Sequence, residues 1–277
     1  MRHLHWLRWV ALALAAVVLL LGASQWRLAR ALVANWRVEA GFTPLRDAPR
    51  VRYAPGGQAL ARVLASYLEP AIAEVEQAEG KPFPEPVAVY VCGTLNCFER
   101  YTAQPRAGGT TLLGHLFISP RLQEQPWRIP SLLAHELSHL HLSQTAGPLR
   151  LGTLPPWFSE GLAVADSNGG GAEPVSPLQA AWAIRAGLHF DPASTGWLFT
   201  RKTASDFGLP VHLFYRQAGM FVAFLRASNP AAFAKLMHRV RAGSSLAEAF
   251  QVAYGTPPAG QWPAFLASLP VGETAAR

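Results

Sequence analysis

Cysteine is nearly absent from this 277-residue chain, with only Cys92 and Cys97 present. Two thiols cannot build a four-thiolate metal site, and their spacing is not the C-x-x-C of a redox centre. They leave two readings open, a disulfide closing a short loop in an oxidising compartment or a pair of unbonded, partly buried thiols. Charge is also sparse, at 15% of residues, while half are hydrophobic. That balance excludes general disorder and supplies enough apolar surface for a sizeable core. No internal repeat and no long low-complexity tract is evident, which sets aside solenoids and arrays. The net charge of +7 would suit nucleic acid or an anionic lipid surface. However, no compact Lys/Arg block interleaved with aromatics appears, so no nucleic-acid partner is expected. The basic residues gather early instead, with Arg2, Arg8, Arg27, Arg30 and Arg37 flanking one apolar run. A positive rim beside a membrane accounts for that distribution.

The run itself is Trp9–Ser24, WVALALAAVVLLLGAS, which carries no charge. A basic start followed by an apolar stretch of this length fits an export signal, and Gly22-Ala23-Ser24 offers small residues for cleavage. It is short for a spanning helix, which needs about 20 apolar residues. Extension to Leu7 and Trp26 adds interfacial aromatics that suit a retained anchor. Residues 1–26 are therefore read as a signal peptide or membrane anchor, and the body of the chain as exported to the cell envelope. No cysteine stands at a lipoprotein-type cleavage position.

Residues 27–54 read as a connector, because Pro44, Pro49 and Pro55 discourage a continuous helix. A helix is predicted over Gln58–Glu79, ending at Gly80, and a strand over Pro86–Cys92. Residues 94–104 read as a short helix or loop. A second strand is expected from about Thr111 to Ser119, with a backbone edge that an extended peptide could join. Helical patterns follow at Ser131–Gln144, Trp157–Asp166, Pro177–Gly187, Val211–Ala227, Pro230–Ala242 and Ser245–Tyr254, with Ser167–Pro174 as a surface loop. The order implies an α+β fold: one domain over 55–270, with an α/β half (55–126), a helical half (127–270) and a tail (271–277).

The chemistry concentrates in His135-Glu136-Leu137-Ser138-His139, an H-E-x-x-H pattern inside an apolar, helix-forming context. Residues i and i+4 share one helix face, so both imidazoles can hold one ion such as Zn2+, with Glu136 beside them as a base. A catalytic zinc site generally needs a third protein ligand and an open position. Glu160 is the candidate, 20 residues beyond His139 (160 − 139 − 1), a spacing that allows a reversing loop and a second helix. A lone helical Glu is usually a solvated surface residue, but this one interrupts the apolar run W-F-S-E-G-L-A-V. His141 is two positions from His139 and points to another face, which suits a surface or cap histidine. His115 reads as structural or exposed rather than as a ligand.

H-E-L-S-H followed by P-x-W-F-x-E-G-L-A resembles the gluzincin branch of zinc metallopeptidases, in particular the bacterial peptidase MA-like family. The tail segments Phe214–Leu225 and Ser245–Gly255 are similar to that family's later helices. The resemblance implies a thermolysin-like, zincin-type fold: a small mixed sheet, an active-site helix and a helical C-terminal part. It implies His135, His139 and Glu160 as zinc ligands, Glu136 as general base, and a peptide or protein substrate. Some gluzincins carry an Asp four residues after the third ligand to orient a histidine. Val164 stands there in this chain, so Asp166 becomes the candidate. An oxyanion stabiliser is also implied, with Tyr215 as the leading candidate, His212 as the alternate, and a packing role for Tyr215 still open. The rival reading is an inactive zincin-like scaffold that retains a structural metal site.

Overall fold

A computed structural model describes Trp9 and residues 26–194 and 201–270. Most of the proposed anchor, including Gly22-Ala23-Ser24, and the tail after residue 270 lie outside the described residues. Among the described residues no helix is long and apolar enough to cross a membrane.

The α/β half is built on short strands with two buried faces. Strands β1 (Thr43–Leu45), β2 (Ala48–Tyr53), β3 (Val89–Val91), β4 (Gly109–Leu112) and β5 (His115–Ile118) pair in the order β1-β2-β3-β5-β4. The pairs β2–β3 and β3–β5 are parallel, and both outer pairs are antiparallel. The fold is thus mixed α+β. Side chains alternate across a strand, so Val89, Val91, Leu116 and Ile118 face one layer while Tyr90 and Phe117 face the other. The first layer is α1 (Gln58–Glu79) and α3 (Ile129–Ala146). The second holds Phe42, Phe98 and Tyr101, the last two from α2 (Leu95–Thr102). Burial on both faces explains why Pro86–Cys92 reads as an unbroken apolar run rather than an alternating one. Cys92 and Cys97 are joined by a disulfide that ties the end of β3 to α2.

Two strand expectations need correction. Residues 27–54 are not a bare connector: 26–35 are helical, and 43–53 contribute β1 and β2. Proline is tolerated there because Pro44 lies on the sheet's outermost strand and Pro49 at the second position of β2, where few ladder bonds are lost. The predicted single strand from Thr111 to Ser119 is a hairpin instead. It reverses at Leu113 (φ 50°) and Gly114 (φ 80°), the two positive φ values that a tight hairpin turn requires.

The helical half comprises α4 (Pro156–Asp166), α5 (Pro177–Arg185), α6 (Val211–Ser228), α7 (Pro230–Arg241), α8 (Leu246–Tyr254) and α9 (Pro258–Ser268). The last was not anticipated, since Pro258 and Pro263 bracket a short segment. Pro258 sits in the first turn, where its missing N–H costs nothing. Trp262 of α9 closes an aromatic core with Phe221 (centroids 5.1 Å apart) and Phe190 (5.2 Å). Trp157 and Phe158 are buried in that core, which seats the first turn of α4.

Helix α4 crosses α6 unusually closely. A Cβ on Gly161 would come within 2.6 Å of the Ala218 carbonyl oxygen, and one on Gly219 within 2.3 Å of Val164 Cγ1. Glycines facing each other on two helices let the backbones approach. Helix α3 lies between the two halves: Leu133, Leu137 and Leu140 pack toward the sheet, and Leu142 toward the helical core.

Candidate metal centre

His135 and His139 lie one turn apart on α3, with ring centroids 4.9 Å apart. After α3 the chain reverses through Gly147 and a helical turn at Arg150–Thr153, then enters α4 at Pro156. Because Trp157 and Phe158 are locked in the core, the next turn of α4 aims Glu160 back at the histidines. Glu160 Oε2 lies 3.4 Å from His135 Nε2 and 3.4 Å from His139 Nε2. These three residues are the group able to hold a metal ion among the described residues, with donor atoms within 4.8 Å of one another.

The spacing can be tested against metal geometry. Two ligands about 2.0–2.2 Å from one ion at a tetrahedral angle stand about 3.3–3.5 Å apart. Both nitrogen–oxygen distances fall in that range, so Glu160 stands from each histidine at a separation that suits a small tetrahedral cation. His135 also donates from Nδ1 to the Gly170 carbonyl, at 2.9 Å, which fixes the ring with Nε2 turned toward the site. Burial alone would raise the Glu160 carboxyl. The charge of His139 and hydrogen bonds from both histidines outweigh burial and hold it well below the usual carboxylate range.

Glu136 is next to a ligand but is not one of the three. It is 5% exposed, and burial pushes its carboxyl up to about 7; the Glu160 charge adds to this, while His135 and Thr111 oppose it. Thr111 Oγ1, on β4, donates to the Glu136 carbonyl (3.0 Å) and reaches its Oε2 (3.4 Å). The strand lies close because residue 109 is glycine: a Cβ there would meet Glu136 Cγ at 2.6 Å. Thus the edge strand of the sheet and the H-E-x-x-H helix are in contact at the carboxylate.

The stretch Ser167–Pro174 is not the surface loop expected from its composition. Residues 169–172 are buried between α3 and α6, and their carbonyls orient side chains from both helices. Gly170 O meets His135, and Gly171 O meets His212 Nδ1 at 2.8 Å. Ser131 Oγ donates to Glu173 Oε1 at 2.8 Å, tying the loop to the start of α3. Consecutive glycines can mark close backbone approach, and that was the available sequence signal for this loop.

Asp166 does not orient a histidine. Its Oδ2 accepts from Ser138 Oγ at 2.6 Å, and its Oδ1 from Arg226 Nη2 at 2.5 Å. Six residues beyond Glu160, it lies nearly two turns along α4, so it bridges α4 to α3 and α6 behind the site. Glu79 and Arg241 pair in the same region, and Glu79 is raised well above its ordinary value by burial and then by Asp166. His141 likewise faces the interior: it is fully buried, with Nε2 3.2 Å from the Lys81 carbonyl and the ring against Phe83 (5.0 Å). The surface or cap reading of His141 is therefore wrong, because the end of α1 and the following turn cover that side of α3. His115 lies elsewhere, with Nδ1 3.2 Å from Asn35 Oδ1.

Tyr215, on α6, stacks over His135 with centroids 6.0 Å apart. Its phenol is raised well above its ordinary value, first by burial and then by the charges of Glu160 and Glu136. It therefore keeps its proton at neutral pH. Tyr215, Glu160 and Arg201 line one cleft of about 490 Å³, whose walls include Leu209, Val211 and Phe214. Arg201 had no sequence signal, since nothing in its local context ties it to Glu160, 41 positions earlier.

No family model, no curated protein and no solved structure matches this chain.

Proposed function

We propose that this chain is a zinc-dependent peptidase of gluzincin type that acts outside the cytoplasm. The observation that carries the reading is the pairing of a three-donor group, its carboxylate oxygen 3.4 Å from each histidine nitrogen, with an adjacent, buried, non-ligating carboxylate. A structural metal site generally closes the ion with four protein ligands, whereas two histidines and one glutamate leave a position open. His135, His139 and Glu160 would hold the ion. When bound, zinc supplies Lewis acidity that brings the pKa of water toward neutrality.

The remaining steps fall to the chain. Glu136 takes a proton from the attacking water and later passes it to the departing amine nitrogen. Thr111 restrains the carboxylate while it does so. As the carbonyl carbon becomes tetrahedral, Tyr215 donates its O–H to the developing oxyanion, a role that needs a phenol still protonated at neutral pH. Strand β4, at the sheet's edge among the described residues, presents a backbone edge beside Glu136 to which an extended peptide can add. The Cys92–Cys97 disulfide supports an oxidising compartment, and the basic-then-apolar N-terminus supports export with a signal or membrane anchor.

The test is hydrolysis. The purified full chain, loaded with zinc, is expected to cleave members of a broad peptide library, and Glu136→Gln to lose that activity. Stoichiometric zinc with no cleavage of any peptide would favour the inactive scaffold.

A further inference from the structure

Arg201 stands out among the groups that the proposed reaction leaves unused. It lines the cleft that also contains Glu160 and Tyr215. Its charge interacts with both of those residues, and burial lowers its pKa. Yet among the described residues it makes no salt bridge, and its buried Nε has no hydrogen-bond partner. A guanidinium carries five donors in a planar fork, and leaving one buried and unmatched costs free energy unless something else fills it. Glu160 attracts it but makes no salt bridge with it, its Oε2 lying against the two histidine nitrogens. A guanidinium with no partner among the described residues favours an incoming anion.

The shape of the cleft narrows the identity of that anion. Leu209, Val211 and Phe214 contribute apolar side chains to a lining that also holds Gln104, Thr203 and Ser205, and Glu160 is the only carboxylate among the described residues that line it. An apolar side chain can rest on those apolar residues while an adjacent carboxylate reaches Arg201, whose fork matches a carboxylate in bidentate fashion. At about 490 Å³ the space suits one or two residues rather than a long segment.

We propose that Arg201 is a specificity-determining residue that receives a carboxylate of the substrate in this cleft, so that peptides ending in an apolar residue with a free C-terminus are preferred. The inference deepens the peptidase reading and rests on it for the direction of the chain, but the carboxylate site itself can be measured without metal or turnover. An acidic side chain is the other source of the same chemistry.

Calorimetric titration of the full chain carrying Glu136→Gln, both zinc-loaded and chelator-treated, separates the possibilities. The probes are N-acetyl-alanyl-leucine, its C-terminal amide, and N-acetyl-alanyl-glutamate with its α-carboxyl group blocked as an amide. The free acid is expected to bind at least tenfold more tightly than the leucine amide, about 1.4 kcal/mol, with and without zinc. Adding Arg201→Ala or Arg201→Gln erases the difference, whereas Lys202→Ala, whose ammonium lies over the Phe207 ring, leaves it. Preference for the glutamate amide over the leucine acid would assign the carboxylate to a side chain and overturn the C-terminal assignment. Equal binding of acid and amide, absence of binding by all three, or a preference that survives both Arg201 variants overturns the proposal. A preference restricted to the zinc-loaded protein also overturns it, because the metal would then be the carboxylate's partner. If the preference is present but the chain neither retains zinc nor cleaves peptides, the peptidase reading falls and the carboxylate site stands.

Discussion

Replacing Gly161 with alanine probes how tightly the geometry of the site depends on the α4–α6 crossing. The substitution has two opposed effects. Alanine favours a helix interior over glycine by about 1 kcal/mol. The added Cβ, however, meets Ala218 O at 2.6 Å, Ala218 C at 2.8 Å and Val222 Cγ2 at 2.9 Å. Carbon contacts settle near 3.5 Å, so the helices must separate by roughly 0.8 Å. Two of the three obstructing atoms are backbone, and no rotamer change removes them. Overpacking of this kind costs about 1–3 kcal/mol, which offsets or exceeds the propensity gain, and a net loss of about 1 kcal/mol is expected. The consequence for the metal is larger in relative terms. Residue 160 must follow the shift of its neighbour, yet donor distances in metal sites tolerate only about 0.2 Å. Zinc affinity is expected to fall at least tenfold. Urea unfolding of the metal-free chain measures the first effect, and zinc competition against a chelating dye measures the second. A variant that gains about 1 kcal/mol and binds zinc normally would refute the close crossing. Lost stability with unchanged affinity would refute the link between the crossing and Glu160.

Two other perturbations separate structural from functional roles. Asp166→Ala strands Arg226 and Ser138 and should cost about 3–5 kcal/mol in urea unfolding, while the double variant Asp166→Leu/Arg226→Met recovers most of it. Asp166→Asn should leave zinc affinity within a few-fold of the parent, because Asp166 touches neither histidine; a hundredfold loss would restore the orienting role. Reduction of the Cys92–Cys97 bond, which closes a loop with a separation of 5 residues, should lower stability by about 2 kcal/mol on loop entropy. Thiol titration of the unfolded, unreduced chain should find no free thiol.

How far the site could be read in the sequence depended on how local its physics is. His135 and His139 follow from helix periodicity alone, which places i and i+4 on one face. Glu160 was legible because a carboxylate inside W-F-S-E-G-L-A-V needs a reason to be there, and the buried Trp157 and Phe158 give it a fixed direction. The histidine-orienting partner was not legible. Sequence reasoning looked for a carboxylate and settled on Asp166, whereas the backbone carbonyl of Gly170 does the work. A carbonyl belongs to every residue and leaves no trace in composition. The same limit hid the burial of residues 169–172, since a glycine run looks alike whether it bends through solvent or passes between two helices. In the sheet, the hairpin at Leu113-Gly114 was read as one continuous strand because Leu113 gives no turn signal, and β1 and β2 were masked by their prolines. Helix α9 was missed for the complementary reason: Pro258 and Pro263 obscured a segment that Trp262 and Phe265 hold in the core. Arg201 depends on tertiary proximity alone.

The most direct test of the central claim is metal content, measured on the purified full chain and two variants after dialysis against trace zinc. The account predicts one zinc per chain for the parent, one for Glu136→Gln, and essentially none for His135→Ala. Absence of zinc from the parent, or its loss in Glu136→Gln, would contradict the division of His135, His139 and Glu160 from Glu136 on which the proposed chemistry depends.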